Sequence, residues 1–136
     1  MEFEVEDYFD NIQNLRMLDP TSAYFGNPPG PAYSIFFEEE WLGAVGFVFP
    51  YKGVAGVWMM TTFAVEEHPK EFIKACHEIF NGVVENFELW RVESRIPTGN
   101  KKFVTFIEKF GFKNEGLARK FGPNQEDFYI YAWVKD

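Results

Sequence analysis

The chain has 136 residues, 46% of them hydrophobic and 20% aromatic, which is the length of one domain with ample material for a core. Thirteen basic residues against twenty-one acidic give a net charge of −8, which repels a phosphate backbone and sets nucleic-acid binding aside. The lone Cys76 excludes an internal disulfide framework, and no apolar run reaches the eighteen residues of a membrane span.

A single domain over residues 1–136 is therefore the expectation. Residues 1–8 alternate Phe3 and Val5 with Glu2, Glu4 and Glu6, the pattern of a half-buried strand with an acidic outer face. A short helix is expected over 10–18, with Ile12, Leu15 and Leu18 as its stripe. The Pro- and Gly-dense segment 21–31 is a loop. Strands are expected over 32–37 and 41–49, joined by Glu38, Glu39 and Glu40 as a hairpin turn, and a turn over 50–53 leads to a third strand over 54–65. That strand is apolar on both sides, which places it centrally.

Pro69 then suits the first position of a long helix reaching to about Phe87, and Glu66 and Glu67 favour the positive end of its dipole. Phe72, Ile73, Cys76, Ile79, Phe80, Val83, Val84 and Phe87 form its apolar face. Residues 89–97 read as a further strand, with Trp90, Val92, Ser94 and Ile96 alternating against Arg91, Glu93 and Arg95. Residues 115–121 and 127–134 form a terminal hairpin through Gly122, Pro123 and Asn124. Its FYIYAWV segment is aromatic on both faces, so a homodimer through this hairpin is a further expectation.

Between these elements lies NKKFVTFIEKFGF, residues 100–112. Phe103, Phe106, Ile107 and Phe110 recur at helical spacing as a buried stripe, opposite Lys101, Lys102, Glu108 and Lys109. Gly111 stands where a left-handed residue closes a helix, and Phe112 can pack back on the last turn. This frame resembles the last conserved helix of the GNAT superfamily of acyl-coenzyme-A-dependent N-acyltransferases, through Asn100, Phe106, Lys109, Gly111 and Phe112. Phe103 replaces the family's small residue, and Ile107 replaces the tyrosine that often serves as general acid. The element order also resembles the GNAT core, so the expected fold is a mixed, mostly antiparallel α/β (α+β) sheet flanked by helices.

The resemblance implies transfer of an acyl group from acetyl-CoA to a small-molecule or peptide amine. It places the coenzyme at Thr61, Thr62, Phe63, Val65 and Asn100. In the family, a loop of the form Gln/Arg-x-x-Gly-x-Gly/Ala holds the pyrophosphate on backbone N–H groups before the long helix. The matching VEEHPK, residues 65–70, has no glycine and sets Glu66 and Glu67 where phosphates would sit. For proton transfer the candidates are Glu93, His68, His77 and the tyrosines of the terminal hairpin. Glu93 is the choice for catalytic base on the acceptor side, and an ion-pair row with Arg91 and Arg95 is the alternative. No paired Cys, Ser-His-Asp order or HxxxH spacing is present, so no metal is expected.

Trp58-Met59-Met60-Thr61 together with residues 100–111 is similar to GNAT-like proteins encoded among the virion genes of short-tailed phages. That second resemblance implies a noncatalytic binding or structural role for the same fold, with a virion or assembly protein as partner. The expected location is cytoplasmic, or packaged in a virion. An open cleft beside the central strand favours the enzyme. A cleft plugged by Phe103, or closed by Glu66 and Glu67, favours the noncatalytic protein.

Overall fold

Long runs of apolar and small residues between positions 32 and 61 suit strands buried on both faces, and in the computed structural model they form the middle of one sheet. The structure describes residues 30–136 and the backbone of Glu4–Asp7. The strands are β1 (Glu4–Asp7), β2 (Ala32–Phe37), β3 (Glu40–Tyr51), β4 (Val54–Thr61), β5 (Arg91–Pro97), β6 (Lys113–Ala118) and β7 (Phe128–Val134). They lie in the order β1-β2-β3-β4-β5-β7-β6. Neighbours are antiparallel except β4 and β5, which run parallel. A parallel pair needs a long crossover, and a 3-10 turn (Phe63–Glu66) followed by helix α1 (Pro69–Asn86) supplies it. Helix α2 (Lys101–Lys109) connects β5 to β6.

Both helices pack on one face of the sheet. Phe72, Ala75, Cys76, Ile79 and Val83 of α1 are buried against Ile35, Phe37, Val45, Phe47 and Val57. Helix α2 lies alongside, its Phe106 and Phe110 rings meeting Phe72 and Phe80 at 6.3 Å each. Burial pushes the Cys76 thiol pKa up, so it behaves as a small hydrophobe. On the other face a smaller cluster joins Ala32, Ala44 and Trp58.

The mixed, mostly antiparallel sheet with flanking helices is the fold class expected, and β2 has the expected bounds. The helix expected over 10–18 and the loop before residue 30 lie outside the described residues. Elsewhere the structure corrects the element ends. β3 continues through Pro50 and Tyr51, because its register against β4 shifts between Val48 and Tyr51 and a proline without N–H is tolerated at such a bulge. β4 stops at Thr61 rather than Val65, since the Thr62 N–H and hydroxyl turn back to β3 carbonyls and the chain enters the 3-10 turn.

Ile73 and Phe87, assigned to the buried face of α1, are exposed. β5 begins at Arg91, two residues later than expected, because the Trp90 and Arg91 N–H groups both bond Gly53 O in the β3–β4 turn and leave Trp90 half exposed. In the terminal hairpin β6 begins at Lys113 and ends at Ala118, the longer connection being closed by Gly122 N–H to Glu126 O and Lys120 N–H to the Asp127 carboxylate. Within the terminal hairpin, named above for a homodimer, β7 lies between β5 and β6. β6 forms the sheet edge on that side and carries Lys113 and Glu115 and a bulge between Asn114 and Gly116.

Candidate functional site

β4 and β5 are held together by the pairs Val54 with Arg91, Ala55 with Val92 and Gly56 with Glu93. Beyond that point residues 57–61 and 94–97 diverge, although β4 remains paired to β3 and β5 to β7. Thr62 N–H bonds Leu42 O at 2.9 Å, so residues 60 and 58 also direct their backbone groups at β3. The N–H and C=O of Met59 and Thr61 therefore face the gap. Unpaired backbone groups of this kind call for a partner.

The gap widens into an open cavity of about 760 Å3. Thr61, Thr62, Phe63 and Val65 line it from the end of β4 and the turn, and Asn100 lines it from the start of α2. The structure thus brings together all five residues expected to hold a coenzyme. Trp41, Met59, Met60, Phe72 and Phe106, which are not among the residues expected to hold the coenzyme, complete a mostly apolar wall. Phe103 belongs to that wall and does not plug the cavity. Several side chains are already engaged. The Thr62 hydroxyl donates to Trp41 O at 2.6 Å, and the Asn100 side chain accepts from Phe103 N–H at 3.2 Å as the cap of α2.

The connection to α1 is a tight turn in which Val65, Glu67 and His68 N–H groups bond the carbonyls of Thr62, Ala64 and Val65. Those donors face inward, where a glycine-rich loop would offer them to an anion. Glu66, on the rim, accepts from Lys102 Nζ at 3.4 Å, and both side chains are exposed. This pair places one basic group beside the carboxylate; neither Glu66 nor Glu67 closes the cleft. Beside the same rim the donor atoms of Glu40, Glu67 and His68 lie within 4.8 Å of one another, with the His68 ring tilted against Phe37 at 4.4 Å. No sequence spacing announces that group, because the β2–β3 turn brings Glu40 to the helix entry.

Glu93 sits where β4 and β5 part, on the face of β5 opposite buried Val92, Ser94 and Ile96, and does not line the cavity. Its carboxylate accepts from Arg91 at 3.0 Å, while the same guanidinium bonds Glu115. The guanidinium hydrogen bonds hold the Arg91 pKa above its usual value, and Arg91 in turn holds the Glu115 carboxyl below the usual carboxylate range. Arg95 does not join this row; it lies 5.0 Å over the Phe121 ring. Among the hairpin tyrosines, buried Tyr131 donates to Glu108 at 3.1 Å, away from the cavity. His77 is stacked on Phe110 at 4.0 Å on the outside of α1, also away from it.

No family model matches the chain, and no curated protein matches its sequence. Solved structures match its shape. The acetyltransferase of the GNAT family from Streptococcus pneumoniae is similar at a TM-score of 0.77 and 12% identity, over 99% of this chain and 100% of that one. The chain has the GNAT fold. The GNAT likeness extends to mutant forms of the spermidine/spermine N-acetyltransferase SpeG from Vibrio cholerae, at 0.72 and 12% identity over 98% and 95% of the two chains. The GNAT-family acetyltransferase from Bacillus anthracis matches at 0.65 and 16% identity over 76% of this chain, which spans 65% of the length of that one. At such identities the GNAT likeness is one of fold.

Proposed function

We propose that the chain is a single-domain, acyl-CoA-dependent N-acyltransferase with a nonstandard phosphate site. The observation that carries this reading is the unpaired edge of β4 beyond Gly56, open along the cavity. An extended amide-bearing arm satisfies such an edge as an added strand would, through the N–H and C=O groups of Met59 and Thr61. Thr62 and Asn100 hold the two walls apart, and Phe63 and Val65 cover the arm's outer end. With the turn's donors engaged internally, phosphates would meet Lys102, released from Glu66, and the uncapped first N–H groups of α1.

The acceptor amine enters from the opposite face of the sheet, where Glu93 stands at the fork. The amine nitrogen attacks the thioester carbonyl, a C–N bond forms, the C–S bond breaks, and the thiolate leaves. Glu93, directly or through one water, takes the proton that the nitrogen loses. The fold likeness to the spermidine/spermine N-acetyltransferase supports a small amine as acceptor by analogy, and a peptide amine fits the same chemistry. Among the described residues no helix is long and apolar enough to cross a membrane, which fits the proposed cytoplasmic location.

The inward-facing donors of the turn favour a second reading, a noncatalytic binding or virion-associated protein on the same fold. Calorimetric titration with acetyl-CoA and free CoA separates the two. Micromolar binding supports the enzyme, and absence of heat supports the noncatalytic protein. In a binding-competent protein, Glu93→Gln is expected to lower kcat at least tenfold while leaving the dissociation constant for acetyl-CoA unchanged.

A further inference from the structure

Three side chains of the cavity wall have a second empty space behind them. Met59, Phe103 and Phe106 line the large cleft and also line a smaller, narrow space of about 30 Å3 that reaches into the core. Its remaining walls include Val45, Val57 and Ile107, with Ser94 and Cys76 beside them and no charged group. A space lined this largely by carbon favours carbon over water. The partition is also soft, because Met59 is unbranched and half-buried and can change rotamer at little cost. Phe103 and Phe106 meet at 5.8 Å and present apolar faces to the cleft.

We infer that this wall is the seat of an acyl tail longer than acetyl, running from the cleft toward the narrow space past Met59, Phe103 and Phe106. The inference rests on the acyltransferase reading and names the acyl group that the reading leaves open. A two-carbon acyl group offers little surface to a wall of this size. Each further methylene removes apolar surface from water on both sides of the contact. Phe103 then acts on specificity: it supplies wall area to the tail and limits how far the tail reaches.

The test is calorimetric titration of the full chain with free CoA, acetyl-CoA, butyryl-CoA and hexanoyl-CoA, repeated with Phe103→Ala and Phe103→Trp, each variant checked for an intact thermal transition. The expected dissociation constant falls about fourfold per added methylene until the wall is covered. Phe103→Ala, which joins the cleft to the narrow space, moves the tightest binder to a longer chain. Phe103→Trp levels the series, so that the affinities of the acyl-CoAs relative to free CoA no longer rise with chain length. Equal affinity for all four ligands in the unaltered protein would overturn the inference and leave the coenzyme reading standing. No heat with any of the four would overturn both.

Discussion

Helix α1 begins at Pro69 behind His68, whose side chain makes no capping bond, whereas α2 begins behind Asn100, whose side chain accepts from Phe103 N–H. At their far ends the bonds match and the residue differs. α1 closes on Glu88 at φ +51, a conformation in which a β-carbon is disfavoured, with Glu88 N–H bonded to Glu85 O and Leu89 N–H to Val84 O, and Leu89 buried. α2 closes on Gly111 at φ +92, with Gly111 N–H bonded to Glu108 O and Phe112 N–H to Ile107 O, and Phe112 buried. Length explains the difference. Eighteen residues with five buried side chains are held by packing, while nine residues with Ile107 alone fully buried are too few to stand without both ends secured.

Breaking α1 therefore means removing a core ring, and breaking α2 means removing a cap. Phe72→Ala, at a site 3% exposed between α1, α2 and the sheet, is expected to cost about 3–5 kcal/mol in denaturant unfolding, the largest effect of the set. Gly111→Ala forces a side chain into the left-handed region and is expected to cost about 1–2 kcal/mol. A loss below half of that would mean the Schellman closure contributes little. Asn100→Ala is expected to cost about 1 kcal/mol, read as a lower midpoint with an unchanged slope.

The smallest effect at neutral pH belongs to Tyr131, which ties β7 to α2 through Glu108. Burial first, and then the bond to Glu108, raise its pKa above the ordinary 10.0. Folding thus favours the neutral phenol. Its contribution is complete below pH 10 and is lost as pH rises toward the elevated folded value. Tyr131→Phe should flatten the fall in stability above pH 10, as followed by chemical unfolding at several alkaline pH values; an unchanged alkaline slope would remove Tyr131 from the account.

What could be read in advance follows the same division. Pro69, the Asn100 to Gly111 frame and the alternation of Val92, Ser94 and Ile96 state their structure locally, through backbone conformation and side-chain periodicity. The five cleft residues were legible because the frame fixes where the end of β4 must sit relative to α2. That the side chains of Trp41, Phe72 and Phe106 wall the cleft was not, because an apolar residue on a strand or helix looks the same whether it faces a core or a cleft. The end of β4 was misplaced by four residues since Phe63, Ala64 and Val65 continue its apolar pattern, and only the long-range bonds of Thr62 to Trp41 and Leu42 stop it. Lys102 with Glu66, and Glu40 with His68, likewise depend on tertiary approach that no spacing encodes.

Three residue pairs join β1–β4, made before residue 62, to β5–β7–β6, made after residue 90. The seam therefore unites an early and a late part of the chain. During synthesis the hairpins of the first part can pair while the second is still in the ribosome, and α1 must then emerge before any parallel contact is available. Closing that seam carries the loop entropy of the whole crossover and returns few backbone bonds for it. The same shortness that opens the cleft is expected to make the union of the two sheet halves a late step in folding.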